Sequence, residues 1–214
     1  PRIGGDQQSG IVKRMLYDGL MRFDKQGQPA LAIAKRVELS DDQLTYTFYL
    51  REAKWSNGDP VIAFDFEYAW KKVLDPGFQT HFAYAFFMIK NAREANEGLI
   101  PIDEVGVRAI DDMTLEVKLV HPAPYFLELT THWTYFPVSS KLDSSHPGWA
   151  YSAADAYISC GPFKLTRYDY GSKLELEANP YYWDAQNVKL EKIEIFTIPD
   201  LNVAHKMYEN DELD

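Results

Sequence analysis

The chain has 214 residues, a net charge of −10, 46% hydrophobic and 25% charged residues, the make-up of a soluble globular protein with room for one large or two small domains. No basic run exceeds two residues, so no positive patch is visible of the kind that displaces counterions from nucleic acid or an anionic membrane. The one cysteine, Cys160, excludes an intrachain disulfide and a paired-cysteine zinc or redox site, and no apolar run approaches the ~20 residues that span a bilayer. Aromatic residues make up 14%, which suits either ring-rich packing or a cleft that grips a ligand with rings. The start at Pro1, without Met or a signal sequence, reads as a processed or excised piece.

Pro1 to Gly10 reads as a polar, glycine-containing loop, with Ser9 placed to cap a short helix through Ile11, Met15 and Leu16. Tyr17-Asp18-Gly19-Leu20 leads into a short strand to Phe23, Asp24 to Pro29 is turn-rich, and Leu31 to Ala34 reads as one helical turn. Val37 to Leu39 and Leu44 to Leu50 form a hairpin around Ser40-Asp41-Asp42-Gln43, with Leu44, Tyr46, Phe48 and Leu50 alternating inward. A second hairpin, Val105 to Ile110 and Thr114 to Leu119, turns at Asp111-Asp112-Met113. Both Asp-Asp pairs are read as turn formers rather than metal ligands.

Between these hairpins, Ser56-Asn57-Gly58-Asp59-Pro60 has the chemistry of a tight turn. After it, Phe66, Ala69, Trp70 and Val73 fall on one helical stripe. Asp65 and Glu67 suit the positive end of that helix, Lys71 and Lys72 its negative end, and Asp75-Pro76 stops it. Phe82 and Tyr84 to Ile89 are dense enough in apolar residues to be mostly buried, Ala92 to Asn96 is a helix ended by Gly98, and Tyr125 to Leu129 another. Thr131 to Ala150 reads as a long irregular link. Beyond it come a hairpin (Gly161 to Leu165 and Lys173 to Glu177), a strand over Lys192 to Ile198, a helix capped by Asp200, and the start of a strand at Glu212-Leu213-Asp214.

Four ordered motifs carry a resemblance: Tyr17-Asp18-Gly19-Leu20; Lys54-Trp55-Ser56-Asn57-Gly58-Asp59-Pro60-Val61 with Asp65-Phe66-Glu67-Tyr68-Ala69-Trp70-Lys71-Lys72-Val73-Leu74-Asp75-Pro76; Gly161-Pro162-Phe163-Lys164-Leu165 with Asn179-Pro180-Tyr181-Tyr182-Trp183; and Glu212-Leu213-Asp214. Together they resemble the oligopeptide- and dipeptide-binding family, the extracytoplasmic solute-binding proteins of peptide ABC importers. The resemblance implies an α+β fold, mixed sheets with flanking helices, of the periplasmic-binding-protein-like kind. It implies that residues 1–17 and 140–214 form part of a discontinuous first domain and 18–139 an inserted second domain, with the third domain lying beyond this sequence. It further implies short peptides as ligands, ABC permease membrane subunits as partners, no cofactor, a monomer, and an exported protein in the periplasm or on the outer face of the cytoplasmic membrane, with lipid anchoring as a variant. In the family the peptide lies extended between the first and third domains and pairs through backbone. Carried over, the ligand edge is Gly5, Asp6 and Gln7, with Phe82 reaching in from the second domain. Gly5 stands where some members have an acid and Phe82 where they have Tyr, and both departures remove polar contacts.

No catalytic constellation appears. The five histidines show neither HExxH nor close pairing with cysteine, and there is no GxSxG elbow. Ser139-Ser140 with His132 and Asp143 compose a triad on paper only, and Cys160 reads as a buried structural thiol. The alternatives to peptide capture are an interaction or adhesion module on the same scaffold, or another cargo such as a metal chelate or haem.

Overall fold

The computed structural model describes residues 2, 6–78, 80–146, 148–151 and 157–214. Helix α1 (Gln7–Leu16) opens the fold, and strands β1 (Met21–Phe23) and β2 (Pro29–Leu31) pair antiparallel behind it. Strands β3 (Ala34–Leu39), β4 (Thr45–Leu50), β5 (Val107–Asp111) and β6 (Thr114–Lys118) make an antiparallel sheet in the order β3-β4-β6-β5. Helix α2 (Ala63–Leu74) packs on β5 and β6. Helices α3 (Ala92–Asn96), α4 (Phe126–Leu129) and α5 (Ser140–Ser145) are short. Strands β7 (Phe163–Asp169), β8 (Lys173–Ala178) and β9 (Lys192–Phe196) form an antiparallel meander, and helix α6 (Leu201–Glu209) follows. This is the predicted mixture of sheets and flanking helices.

Periodicity accounts for most of it. Tyr46, Phe48 and Leu50 of β4 are buried while their alternates are half-buried, and Phe66, Ala69, Trp70 and Val73 of α2 are fully buried on one stripe. Full burial of a side chain such as Phe48, Leu50, Phe66 or Val73 contributes roughly 1.5–3 kcal/mol. One continuous core runs from Leu16 through the four-stranded sheet and α2 to Leu165 and Leu176 of the meander. The turn of the 56–60 motif is as its residues require: Gly58 has φ 89°, and Asn57 accepts the Asp59 backbone N–H at 3.1 Å. The Asp-Asp pairs are turn formers here too, Asp42 accepting from Leu44 N–H and Asp111 from Met113 N–H.

Several expectations are corrected. Asp6, not Ser9, caps α1, accepting the Ser9 backbone N–H at 2.7 Å, because the helix begins two residues before Ser9. Leu31 to Ala34 is not a helical turn: the N–H groups of Ala32, Ile33 and Ala34 bond to Gly19 and Leu20 carbonyls, which makes the segment a bend between β2 and β3. Phe82 and Tyr84 to Ile89 are not mostly buried: only Phe86 and Ile89 are, Tyr84 is 67% exposed and the others are half-buried, since the Ala83–Phe86 turn is 3-10 and points only Ala83 and Phe86 inward. Thr131 to Ala150 is not irregular throughout; it contains the Trp133–Tyr135 3-10 turn and α5, and Thr131, Thr134 to Val138 and Ser139 are buried. Glu212 to Asp214 is no strand; the Glu212 N–H bonds to the Met207 carbonyl and finishes α6, with Asp211 at φ 59°.

Candidate functional site

Three buried or half-buried carboxylates tie the chain's distant segments together. Asp65, at the start of α2, accepts four hydrogen bonds: from Trp55 Nε1 (3.1 Å), Ile62 N (3.2 Å), Ser140 N (2.9 Å) and Ser140 Oγ (2.9 Å). Burial pushes its pKa up against these bonds. Ser56 and Ser159 reinforce the same seam reciprocally, Ser56 N–H to the Ser159 carbonyl at 2.7 Å and Ser159 N–H to Ser56 Oγ at 3.1 Å. Asp143 accepts from Arg2, Tyr68 Oη and Trp149 Nε1, each at 2.7 Å. Burial raises its pKa, but these three bonds outweigh burial and hold it below the ordinary value. Asp18 accepts from Gly19 N (3.1 Å), Tyr182 Oη (2.8 Å) and Trp183 Nε1 (3.0 Å), with burial pushing it up. The motifs around Asp18 and Tyr182 are thus two halves of one buried polar junction.

These commitments dispose of the paper triad. Ser140 Oγ donates to Asp65, Ser139 Oγ accepts the Leu142 N–H, and Asp143 is taken by Arg2, Tyr68 and Trp149. Cys160 is buried, its thiol meets the Asp18 carbonyl at 3.8 Å, and burial pushes its pKa up. Among the described residues no cluster of His, Cys, Asp and Glu could hold a metal ion, and no helix is long and apolar enough to cross a membrane.

Of the predicted ligand-edge residues, Gly5 lies outside the described residues. Asp6 and Gln7 are exposed at the start of α1, where the Ser9 backbone and hydroxyl bonds lower the pKa of Asp6. Phe82 is half-buried, its ring 5.8 Å from that of His132 and 6.2 Å from that of Trp133. The link between Phe82 and α1 is Trp133 itself. Its ring lies so close to Gly10 that a Cβ there would meet Cζ3 at 2.6 Å, which requires glycine at that helix position. Lys13 Nζ and Arg14 Cζ each sit 5.5 Å from the same ring. The result is one wall: the start of α1, Phe82, His132, Trp133, Lys13 and Arg14.

Of this wall only Phe82 is visible in the sequence; His132 and Trp133 are not, because they fall in the stretch with the pattern of a link. The signal that could have found them is the glycine inside an otherwise helical pattern, which marks close approach of a bulky neighbour. Burial, then the charges of Arg14 and Lys13, push the His132 pKa down to about 4, so the imidazole is neutral at ordinary pH. Its Nδ1 accepts the Thr134 N–H at 3.3 Å, which leaves Nε2 carrying the hydrogen as a donor. The Trp133 indole N–H is buried without a hydrogen-bond partner among the described residues. Beside the wall, Arg14, Tyr17, Asp18, Arg22, Phe136 and Tyr182 line a cleft of about 320 Å³.

Residues 28–214 match the sequence model of the bacterial extracellular solute-binding proteins, family 5 Middle. The chain is 44% identical over its whole length to the oligopeptide-binding protein OppA of Bacillus subtilis, of which it spans 39%. In structure it matches the substrate-binding domain of an oligopeptide ABC transporter from Bacillus anthracis, at TM-score 0.96 and 36% identity, covering all of this chain and 41% of that one. It matches Listeria monocytogenes OppA bound to peptide at TM-score 0.95 and 35% identity, covering all of this chain and 42% of that one. The chain therefore spans about two fifths of the length of the relatives it matches.

Proposed function

The chain belongs to the bacterial extracellular solute-binding proteins, family 5, and on that footing we propose that it is part of a peptide-capturing protein, the substrate-binding component of a peptide ABC importer. It collects short peptides outside the cytoplasmic membrane and delivers them to the membrane subunits, as a monomer, in the periplasm or held by a lipid anchor at the outer face of the cytoplasmic membrane. Residues 1–17 and 140–214 act as one domain and 18–139 as a second. The peptide lies against the edge formed by Gly5, Asp6, Gln7 and Phe82, extended and pairing through its backbone, with a further lobe closing over it.

The observation that carries this reading is the match along the whole chain to a relative whose structure holds a peptide. The aromatic wall supports it: Phe82 and Trp133 supply apolar ring surface, and His132 Nε2–H a donor, at the start of α1. Backbone pairing supplies affinity that does not depend on side chains, so many peptides are accepted. The test is mass spectrometry of the native protein purified without denaturation. Co-purified short peptides, displaced by a synthetic di- to pentapeptide pool, are expected. A protein that carries no peptide and gives no calorimetric heat with that pool would refute the reading.

A further inference from the structure

We propose that Arg14, the residue shared by the wall and the neighbouring cleft, receives a carboxylate of the ligand, so that this protein prefers peptides bringing an acidic group to the cleft beside α1. The inference rests on the peptide-binding reading above and adds a charge preference to it.

Four observations carry it. Arg14 is exposed on α1 and, among the described residues, forms no ion pair with any carboxylate, and it is one of the residues lining the 320 Å³ cleft. The one carboxylate lining that cleft, Asp18, is 5% exposed and committed to Gly19, Tyr182 and Trp183. Arg22, the second cation in the cleft, donates to Asp184 and to Tyr182 Oη, each at 3.0 Å, so its charge is balanced by Asp184 and Arg14 is left as the cation available to a ligand there. His132, one residue from cleft-lining Thr131, is kept neutral partly by Arg14 and Lys13, so these cations set a positive local potential although the whole chain carries −10. A planar guanidinium offers a carboxylate two parallel N–H donors. An uncharged ligand group meets the same donors with about half the bond strength.

The carboxylate can come from an acidic side chain or from the peptide's C-terminus, and four tripeptides separate these: Ala-Glu-Ala and Ala-Gln-Ala, each with a free and an amidated C-terminus. Affinities are measured by calorimetry on the native protein, on Arg14→Gln, and on Arg36→Gln, a charge-matched change on exposed β3. The wild type is expected to favour one carboxylate over its amide by about tenfold, and Arg14→Gln to abolish that preference while Arg36→Gln keeps it. Discrimination between Glu and Gln identifies the side chain, discrimination between acid and amide termini the C-terminus, and either supports the proposal. Retained binding of the neutral amidated peptide shows Arg14→Gln to be folded. The proposal is overturned if the wild type shows neither preference, if Arg14→Gln keeps the preference, or if that variant weakens all four peptides equally. A wild type that binds none of the four but binds other peptides overturns this proposal alone, and one that binds no peptide at all removes both readings.

Discussion

Replacing Asp65 by alanine is expected to be among the most damaging single changes in the chain. The carboxylate is 3% exposed and accepts from Trp55 Nε1, Ile62 N, Ser140 N and Ser140 Oγ. A net ~1 kcal/mol for each of four buried bonds gives about 4 kcal/mol, and removing a carboxylate that was itself costly to bury returns part of this, leaving about 3 kcal/mol. Asparagine keeps the shape and one acceptor. Its oxygen serves Trp55 and Ile62, its amide faces Ser140, whose hydroxyl rotates to accept, and only the Ser140 N–H is orphaned. Asp65→Asn therefore costs about 1–2 kcal/mol. The pH dependence has a definite sign. Because burial raises the folded pKa, the native state holds the proton longer than the unfolded chain. The carboxyl's contribution is full below the ordinary aspartate value and is lost as pH rises through the raised one. Urea unfolding across that window, extrapolated linearly, measures both effects. A loss under 1 kcal/mol for Asp65→Ala, or equal losses for Ala and Asn, would refute the account of this seam.

Other outcomes follow from the same geometry. Gly10→Val places carbon atoms where Trp133 stands, and should cost about 1–3 kcal/mol and shift tryptophan fluorescence. Tyr182→Phe removes the hydroxyl that donates to Asp18 and accepts from Arg22, and should cost about 1–3 kcal/mol by thermal or urea unfolding. Asp143 is held below its ordinary pKa, so its contribution is present above the unfolded value and lost as pH falls through the depressed one. Asp143→Asn should flatten the acid limb of the stability profile.

Much of the fold was legible because it follows local periodicity. Tyr46, Phe48 and Leu50 alternate, Phe66 to Val73 stripes, and Asp200 caps α6 by accepting the Asn202 N–H, as its position before an apolar helix suggests. Thr131 to Ala150 was opaque because its order comes from afar: Trp70 Nε1 donates to the Tyr135 carbonyl, and Asp65 captures Ser140 across 75 positions of sequence. Asp65 itself read as a helix-dipole residue, which it is, but no local pattern reveals that it bolts two distant segments. The candidate site was half legible for the same reason. Phe82 came from a resemblance, whereas His132, Trp133 and the cations of α1 join it only through tertiary packing at Gly10.

The most direct test of peptide capture at this wall is calorimetric titration of the native protein and its Phe82→Ala variant with a short-peptide pool. The account predicts saturable binding by the native protein, weakened about 5- to 30-fold when the ring is removed, as expected for loss of an aromatic contact worth roughly 1–2 kcal/mol. Binding unchanged in Phe82→Ala, or none in the native protein, would contradict it.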